Sequence, residues 1–203
     1  MISIVTPWRN HLEFLPDYAA ATKGARVVIV DNASGDETAD ALYDHCRKTG
    51  GIYIRNDVNA SFGKATNQGL AVIESGPVVC LNNDVSAPDA EWLAKAEHDI
   101  TGRALFGPSL SARTIDRRPV LYLEGWCIGA TIDAWRELGG WDEWAHSYWE
   151  DNALCWRAHQ AGMRLVKTNW TVSHIGNGTS AGEPGAYDGS AANQAHFERM
   201  VTA

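Results

Sequence analysis

The sequence predicts an α/β protein with a mainly parallel central sheet flanked by helices. Short apolar segments rich in Val and Ile alternate with stretches of helical periodicity, which is typical of strand–helix–strand units. Polar residues that favour turns follow several of the apolar segments directly. Because no repeat or low-complexity linker interrupts the pattern, we expect residues 1–203 to form a single domain, long enough to bury a substantial core.

The first half of the chain contains four predicted strands and two predicted helices. The strands are short apolar segments at residues 2–5, 26–30, 52–55 and 77–81. Ser34 and Glu37 have the spacing of a capping box, so we expect a helix to begin there and to end before Gly50. A second helix is expected over residues 64–73.

The second half continues the alternation less regularly. Helices are expected over residues 88–100, over residues 133–138, and from the acidic pair at 150 and 151 to about residue 160. Strand candidates lie at residues 105–110, 120–132 and 165–166. Residues 176–189 are rich in Gly, Ser and Asn and favour a mobile loop, followed by a short helix over about residues 191–201.

Composition limits the class of protein. Hydrophobic residues make up 45% and charged residues 21% of the chain, which is ordinary for a soluble globular protein. The net charge of −8 disfavours a nonspecific nucleic-acid binder. Four widely spaced cysteines, with Cys80 and Cys127 in apolar segments, favour buried free thiols. The start of the chain lacks the pattern of a signal peptide and no apolar run approaches the roughly 20 residues that cross a bilayer, so we expect a cytoplasmic location.

Polar residues follow three of the predicted strands at the point where each strand ends. Thr6 and Pro7 follow the first strand, Asp31 follows the second, and Asn82 to Asp84 follow the fourth. Each segment alone is also what a turn looks like. In an open α/β sheet, however, ligands bind beyond the carboxyl ends of the strands, so three polar strand ends at one edge would form a site.

Carboxylates and a late histidine provide the groups for chemistry. Glu150 and Asp151 lie in the first turn of a predicted helix, where the helix dipole alone would also favour them. His174 is a lone histidine beyond the last predicted strand, which is more often a surface or core residue. Together with Asp84, these side chains could hold a divalent metal against a diphosphate and place a carboxylate base beside it.

These segments together resemble family 2 glycosyltransferases, which have the Rossmann-like GT-A fold, over residues 1 to about 180. The resemblance rests on the Thr-Pro and Asp-Asn-Ala-Ser turns, residues 56–69, the Asn-Asn-Asp strand end, the Gly-Gly-Trp-Asp-Glu turn, the Glu-Asp pair and the late His. The sequence departs from the family at Ala60 and Ser61, where a Gly often precedes the aromatic residue, and at Asn82, which replaces the first Asp of the Asp-x-Asp motif.

The resemblance implies a role for each matching residue. Asp151 would be the general base, with Glu150 as the alternative, and Asp84 and His174 would bind the metal. The implied contacts to the nucleotide sugar are Thr6, Pro7, Arg9, Asp31, Asn59, Gly63, Lys64, Asn67, Asn82, Asn83, Gly125 and Trp126. Gly63 would open a helix whose free amides face phosphate, and residues 176–180 would fold over the diphosphate.

The function that the resemblance implies is an inverting sugar transfer from a nucleotide-diphosphate donor, assisted by manganese or magnesium. The acceptor would carry a hydroxyl, on a glycan, a lipid-linked sugar, a protein or a modified nucleic acid. The alternative is a catalytically inactive α/β module that only binds a nucleotide or nucleotide sugar, which Asn82 and Ala60-Ser61 favour. A nucleotidyltransferase is a weaker third alternative, because no glycine-rich loop follows the first strand.

Overall fold

The computed structural model describes residues 1–145, 148–176 and 190–202. The strands are β1 (Ser3–Trp8), β2 (Arg26–Asp31), β3 (Ile52–Arg55), β4 (Pro77–Leu81), β5 (Val85–Ser86), β6 (Ala104–Gly107), β7 (Leu110–Ile115), β8 (Arg118–Leu123), β9 (Cys127–Thr131), β10 (Arg164–Lys167) and β11 (Ser173–His174). The helices are α1 (Leu15–Ala21), α2 (Asp36–Thr49), α3 (Phe62–Ala71), α4 (Glu91–Asp99), α5 (Ile132–Leu138), α6 (Glu150–Gln160) and α7 (Ser190–Thr202), with a 3₁₀ turn at Leu12–Phe14.

Seven strands form one sheet in the order β10-β6-β9-β4-β1-β2-β3. Strands β1 to β4 are parallel where they pair, β10 is parallel to β6, and only β9 runs antiparallel to its neighbours. Strand β9 is reached through the β7–β8 hairpin and a short turn rather than a helical crossover, so it can enter against the direction of β4. The predicted fold class, α/β with a mainly parallel central sheet, is confirmed.

The core lies on both faces of the sheet. Successive residues of β1 belong to different clusters: Ile4 packs toward Tyr18 and Trp92, whereas Val5 packs on the opposite face. Because the central strands are covered on both sides, they read as continuous apolar segments rather than alternating ones. All four cysteines are buried free thiols, as predicted.

Several predicted boundaries were wrong. The candidate strand over residues 120–132 is two strands, β8 and β9, which are separated by the turn at residues 124–126. The segment at residues 105–110 likewise divides between β6 and β7. Helix α1 was not predicted; it has only seven residues and carries Pro16 in its first turn, where proline is tolerated.

The predicted capping box was also wrong. Helix α2 begins at Asp36 after Gly35, and no side chain caps it. The Ser34 hydroxyl instead accepts a hydrogen bond from the Asn10 amide at 2.8 Å, because the loop after β1 packs against the loop after β2. A side-chain cap occurs instead on α3, where Ser61 accepts from the Lys64 amide at 3.2 Å.

The remaining predicted elements lie near the expected positions. Helix α7 extends the predicted helix at residues 191–201 by one residue at each end and buries Phe197 against Trp149. The expected loop over residues 176–189 lies outside the described residues except for Gly176. Within the described ranges, no helix is long and apolar enough to span a bilayer.

Candidate active site

A short antiparallel strand pair brings Asp84 and His174 together. His174 in β11 pairs with Val85 in β5, and the Ile175 amide donates to the Asp84 carbonyl at 2.9 Å. The Asp84 Oδ1 atom therefore lies 3.0 Å from His174 Nε2, although the two residues are 90 positions apart. Asp84 is almost completely buried and His174 is about one quarter exposed, so the pair opens to solvent on the histidine side.

The Asp84–His174 pair fits a divalent cation as two of its ligands. Carboxylate oxygen and imidazole nitrogen are both ligands of Mn²⁺, and adjacent ligands in an octahedron with bonds of about 2.1 Å are about 3.0 Å apart. That spacing matches the 3.0 Å between Asp84 Oδ1 and His174 Nε2. No group of three His, Cys, Asp or Glu side chains suited to a metal occurs among the residues described. Water and a diphosphate could supply further ligands.

Trp126 packs against His174 by ring stacking. Its ring stacks on the His174 ring with an interplanar angle of 1° and centroids 5.2 Å apart. The Trp126 carbonyl accepts from the Asn82 amide at 2.8 Å, and its Nε1 donates to Glu124 at 3.2 Å. The Asn82 side chain lies 3.4 Å from His174 Nε2, and that nitrogen cannot donate to Asp84 and accept from Asn82 at once. The shorter distance favours the contact with Asp84.

Asn83 lies between Asn82 and Asp84 in the chain and is buried. Its Nδ2 group has no hydrogen-bond partner among the described residues. A buried amide donor without a partner costs free energy, so its position beside Asp84 suits a bound acceptor such as a phosphate oxygen.

Gly125 positions the carboxylate of Asp151. The Gly125 amide donates to Asp151 Oδ2 at 3.1 Å, and a Cβ atom at residue 125 would lie 3.1 Å from the Asp151 Cβ. The amide and side-chain nitrogen of Asn152 both donate to Asp151 Oδ1, at 2.8 and 2.9 Å. Burial raises the pKa of Asp151, while these hydrogen bonds and the charge of Arg113 oppose that rise. The carboxylate is therefore held in one orientation and made more basic.

Glu150 differs from its neighbour in its surroundings. Its Oε2 atom is buried and has no hydrogen-bond partner among the described residues. Burial, and then the charge of Asp151, raises the pKa of Glu150 to about 8. Burial therefore favours the protonated form of Glu150, whereas the hydrogen bonds to Asp151 favour its charged form, and Asp151 is the candidate base of the pair.

Asp31 lies at the end of β2, and both of its carboxylate oxygens have protein partners. Oδ1 accepts from the Ser34 amide at 2.8 Å and Oδ2 from the Tyr53 hydroxyl at 2.6 Å. An Arg55 nitrogen lies 3.6 Å from Oδ2. The side chain is fully buried, so Asp31 organises this strand end; its predicted contact to a nucleotide stays a prediction.

The residues at the end of β1 support the same edge. The Thr6 hydroxyl is buried in a 2.8 Å hydrogen bond with Tyr18, so it faces the core. Pro7 is half-buried within β1 and pairs with Val30. The Arg9 guanidinium donates to the carbonyls of Asn32 and Ala33 at 3.2 and 3.0 Å, which ties the first two strand ends together.

Asn32 fastens the loop at residues 56–60 to the end of β2. Its Nδ2 donates to Asn59 Oδ1 and to the Ala60 carbonyl, both at 2.8 Å. Its Oδ1 accepts from the Ala60 amide at 2.8 Å and from Asn56 at 3.1 Å. Asn32 was not predicted as a site residue, and its signal in the sequence is its position beside Asp31.

Gly63 and Asn67 contact a protein turn in positions where nucleotide contacts were expected. A Cβ atom at Gly63 would lie 2.1 Å from the Asp142 carbonyl oxygen, so a glycine is required for α3 to pack there. Asn67 accepts from the Trp141 amide at 2.8 Å and donates to the Trp141 carbonyl at 2.9 Å. Lys64 is exposed on the same helix.

The turn at residues 124–126 connects the two halves of the site. Gly125 contacts Asp151, whereas Trp126 contacts His174 and the strand end at Asn82. The Asp84–His174 pair and the Asp151 carboxylate are thus brought to one region, and the polar ends of β1 and β2 lie beside them at the same edge of the sheet. Arg113 and Asn152, which also act on Asp151, were not predicted from the sequence.

Comparison with known proteins shows the family of the chain. The family model of glycosyl transferase family 2 matches residues 3–106. The pre-mycofactocin glycosyltransferase of Mycobacterium tuberculosis (strain CDC 1551 / Oshkosh) is 27% identical over 192 residues. That match covers 81% of this chain and 40% of the relative, so the chain spans less than half of that protein.

Solved structures show the same fold at low sequence identity. The mannosyltransferase PcManGT from Pyrobaculum calidifontis, in complex with GDP-Man and Mn²⁺, has a TM-score of 0.65 at 15% identity over 82% of this chain and 54% of its own. Residues 1–349 of S. aureus TarS, in complex with UDP-GlcNAc, have a TM-score of 0.66 at 17% identity over 90% of this chain and 61% of its own. The predicted GT-A fold is confirmed.

Proposed function

The chain belongs to glycosyl transferase family 2, and we propose that it transfers a sugar from a nucleotide-diphosphate donor to an acceptor hydroxyl. One observation carries the proposal. The single turn at residues 124–126 contacts both the Asp84–His174 pair, through Trp126, and the Asp151 carboxylate, through Gly125. Displacement of a diphosphate by a hydroxyl needs a group that binds a cation and a base close to it, and these two sets of side chains could supply both.

Asp84 and His174 would hold a divalent cation, manganese or magnesium, against the donor. Bound there, the cation supplies positive charge against the departing diphosphate, which a chain of net charge −8 would otherwise repel. Asn83 Nδ2, buried without a partner among the described residues, is suited to a phosphate oxygen. The complexes of PcManGT with GDP-Man and Mn²⁺ and of TarS with UDP-GlcNAc support a nucleotide sugar as the donor class.

Asp151 would be the general base. It takes the proton of the acceptor hydroxyl as that oxygen bonds to the anomeric carbon, while the bond from that carbon to the diphosphate oxygen breaks. The electron pair of the broken bond leaves with the nucleoside diphosphate. Attack from the side opposite the leaving group inverts the anomeric configuration. The hydrogen bonds from Gly125 and Asn152 keep the Asp151 carboxylate in one orientation for this step.

The decisive experiment compares donor binding with turnover in Asp151→Asn. We expect manganese-dependent hydrolysis or transfer from a panel of UDP- and GDP-sugars to fall by roughly 10²- to 10⁴-fold, the usual contribution of a positioned base. Donor affinity by calorimetry should stay close to that of the parent chain, because the role of Asp151 lies in the chemical step. Glu150→Gln, made in parallel, should retain far more turnover than Asp151→Asn.

The alternative function is a module that binds nucleotide sugars without transferring them. Asn82, which stands where the family motif has an Asp, is the observation in its favour. A parent chain that binds donors with manganese but turns none of them over, with or without Asp151, would establish this alternative.

A further inference from the structure

Asp151 is hydrogen-bonded to Asn152, and Asn152 is hydrogen-bonded to Arg113 in the β7–β8 hairpin. Arg113 in β7 donates from Nε to Asn152 Oδ1 at 2.6 Å. Asn152 is fully buried and donates from both of its nitrogens to Asp151 Oδ1, at 2.8 and 2.9 Å. These contacts form a chain of hydrogen bonds that runs from Arg113 through Asn152 to Asp151.

The positive charge of Arg113 lies at the amino terminus of α6, where a cation alone would destabilise the helix. Its guanidinium lies over the Trp149 ring, with Cζ 4.1 Å from the centroid, immediately before the first turn of α6. A cation at a helix amino terminus opposes the helix dipole. The guanidinium is compensated by the Trp149 ring, by the Tyr122 ring at 5.3 Å, and by the Asp151 charge.

The chain of contacts acts on one of the two carboxylate oxygens. Asp151 Oδ2 is bound by the Gly125 amide, from the turn that also carries Trp126. Oδ1 accepts from the backbone amide and from the side-chain nitrogen of Asn152, and the Asn152 side chain in turn accepts at its own Oδ1 from Arg113. Without the bond from Arg113, the Asn152 side chain loses one of the two hydrogen bonds that orient its amide toward Asp151.

We propose that Arg113 is a positioning residue, which orients the Asp151 carboxylate through Asn152 and stabilises its charged form. The proposal rests on the assignment of Asp151 as the base. Arg113 contacts neither the metal pair nor the nucleotide edge in the described residues, so its effect should be confined to the base. A role in hairpin stability alone would leave the titration of Asp151 unchanged.

Several other titratable groups lie near Asp151 and could affect its pKa. Glu150 shares its helical turn, Cys155 lies one turn further along α6, and Tyr122 lies near it on β8. Arg113 is the cation among the charges that act on Asp151. A variant that removes only this cation therefore isolates its contribution.

The experiment uses the full chain and three variants on one hairpin. Arg113→Met removes the charge and the Nε donor, Arg113→Lys restores a charge without the planar Nε group, and Arg118→Met removes an exposed charge from the paired strand β8 as the matched control. The carboxyl carbon of Asp151 is titrated by ¹³C NMR, and manganese-dependent hydrolysis of UDP-GlcNAc, UDP-glucose and GDP-mannose is measured across pH. Melting temperature reports folding.

We expect Arg113→Met to raise the pKa of Asp151 and to lower the turnover at pH 7 by roughly 10- to 100-fold through loss of orientation. The acidic limb of the pH profile should move upward with the NMR titration. Arg113→Lys should return the titration toward that of the parent while turnover stays reduced. Arg118→Met should match the parent in both measurements.

Equal titrations of Asp151 in Arg113→Met and the parent would overturn the proposal, as would equal shifts in Arg113→Met and Arg118→Met. Full turnover in Arg113→Lys would overturn the route through Asn152. The failure of the base assignment is distinguishable: if Asp151→Asn and the parent turn over donors equally, Asp151 is not the base, whereas the NMR titration of the parent and Arg113→Met still tests whether Arg113 acts on Asp151.

Discussion

At the scale of single residues, the adjacent carboxyl groups of Glu150 and Asp151 lie in different environments. Asp151 has three hydrogen bonds from nitrogen donors, whereas one oxygen of Glu150 is buried with no partner among the described residues. Hydrogen bonds to a carboxylate favour its charged form, and burial without a partner favours the protonated form. The two adjacent carboxyl groups are therefore held in different environments, which favours Asp151 as the base of the pair.

Glu150 should make stability depend on pH. Its pKa is about 8 in the folded chain and about 4.3 in an unfolded chain, so the folded state binds more protons between these values. Stability is therefore expected to fall as pH rises from about 4.3 to 8. Glu150→Gln should flatten this loss, measured as melting temperature at pH 5 and pH 8. Exposed Glu74→Gln is the control; an identical pH slope in the two variants would contradict the prediction.

Asp84 and His174 should each be needed for manganese-dependent nucleotide binding. We expect Asp84→Ala and His174→Ala to weaken the affinity for UDP with manganese by about 10- to 100-fold, because a contact to a charged ligand is worth about 1.5–3 kcal/mol. Calorimetry with and without a chelator measures this. Asp40→Ala, on the exposed side of α2, should bind like the parent. If a chelator does not weaken UDP binding by the parent chain, the proposed cation site is wrong.

At the scale of elements, the turn at residues 124–126 connects the two parts of the candidate site. It follows β8, precedes β9, and contacts the first turn of α6 through Gly125 and β11 through Trp126. The antiparallel entry of β9 between β4 and β6 brings this turn to the carboxyl ends of the parallel strands, beside Asn82.

Gly125→Ala tests whether the turn positions the base. A new methyl group would lie 3.1 Å from the Asp151 Cβ, closer than an ordinary contact, so either the turn or the carboxylate must move by a few tenths of an ångström. We expect turnover to fall by up to about 10²-fold, as small misplacements of a reacting group do. Donor affinity and melting temperature should change little. A fall in donor affinity equal to the fall in turnover would show instead that Gly125 contacts the donor.

At the scale of the whole molecule, ligands are expected at one edge because of the sheet topology. The polar ends of β1, β2 and β4 are neighbours because these strands are adjacent and parallel. A ligand at this edge contacts residues that are far apart in the chain, and Asp84 and His174 are separated by 90 positions. The net charge of −8 makes a cation at this edge more important for an anionic donor.

The sequence by itself determined the fold class and selected the candidate site residues. Strand–helix alternation, continuous apolar central strands and polar strand ends are local patterns, and they follow from the burial of a parallel sheet on both faces. Asp84, Asp151 and His174 could be selected because carboxylates after a strand or at a helix start, together with the late His, match a family pattern.

Only the tertiary structure decided which side chains act together. The bond from Ser34 to Asn10 replaced the predicted cap of α2, and Asn67 proved to bind the turn at Trp141. The contact of Arg113 with Asn152 joins residues 39 positions apart. Such pairings depend on how strands and helices pack in three dimensions, and hydrogen bonds between distant residues leave no periodic signal in a single sequence.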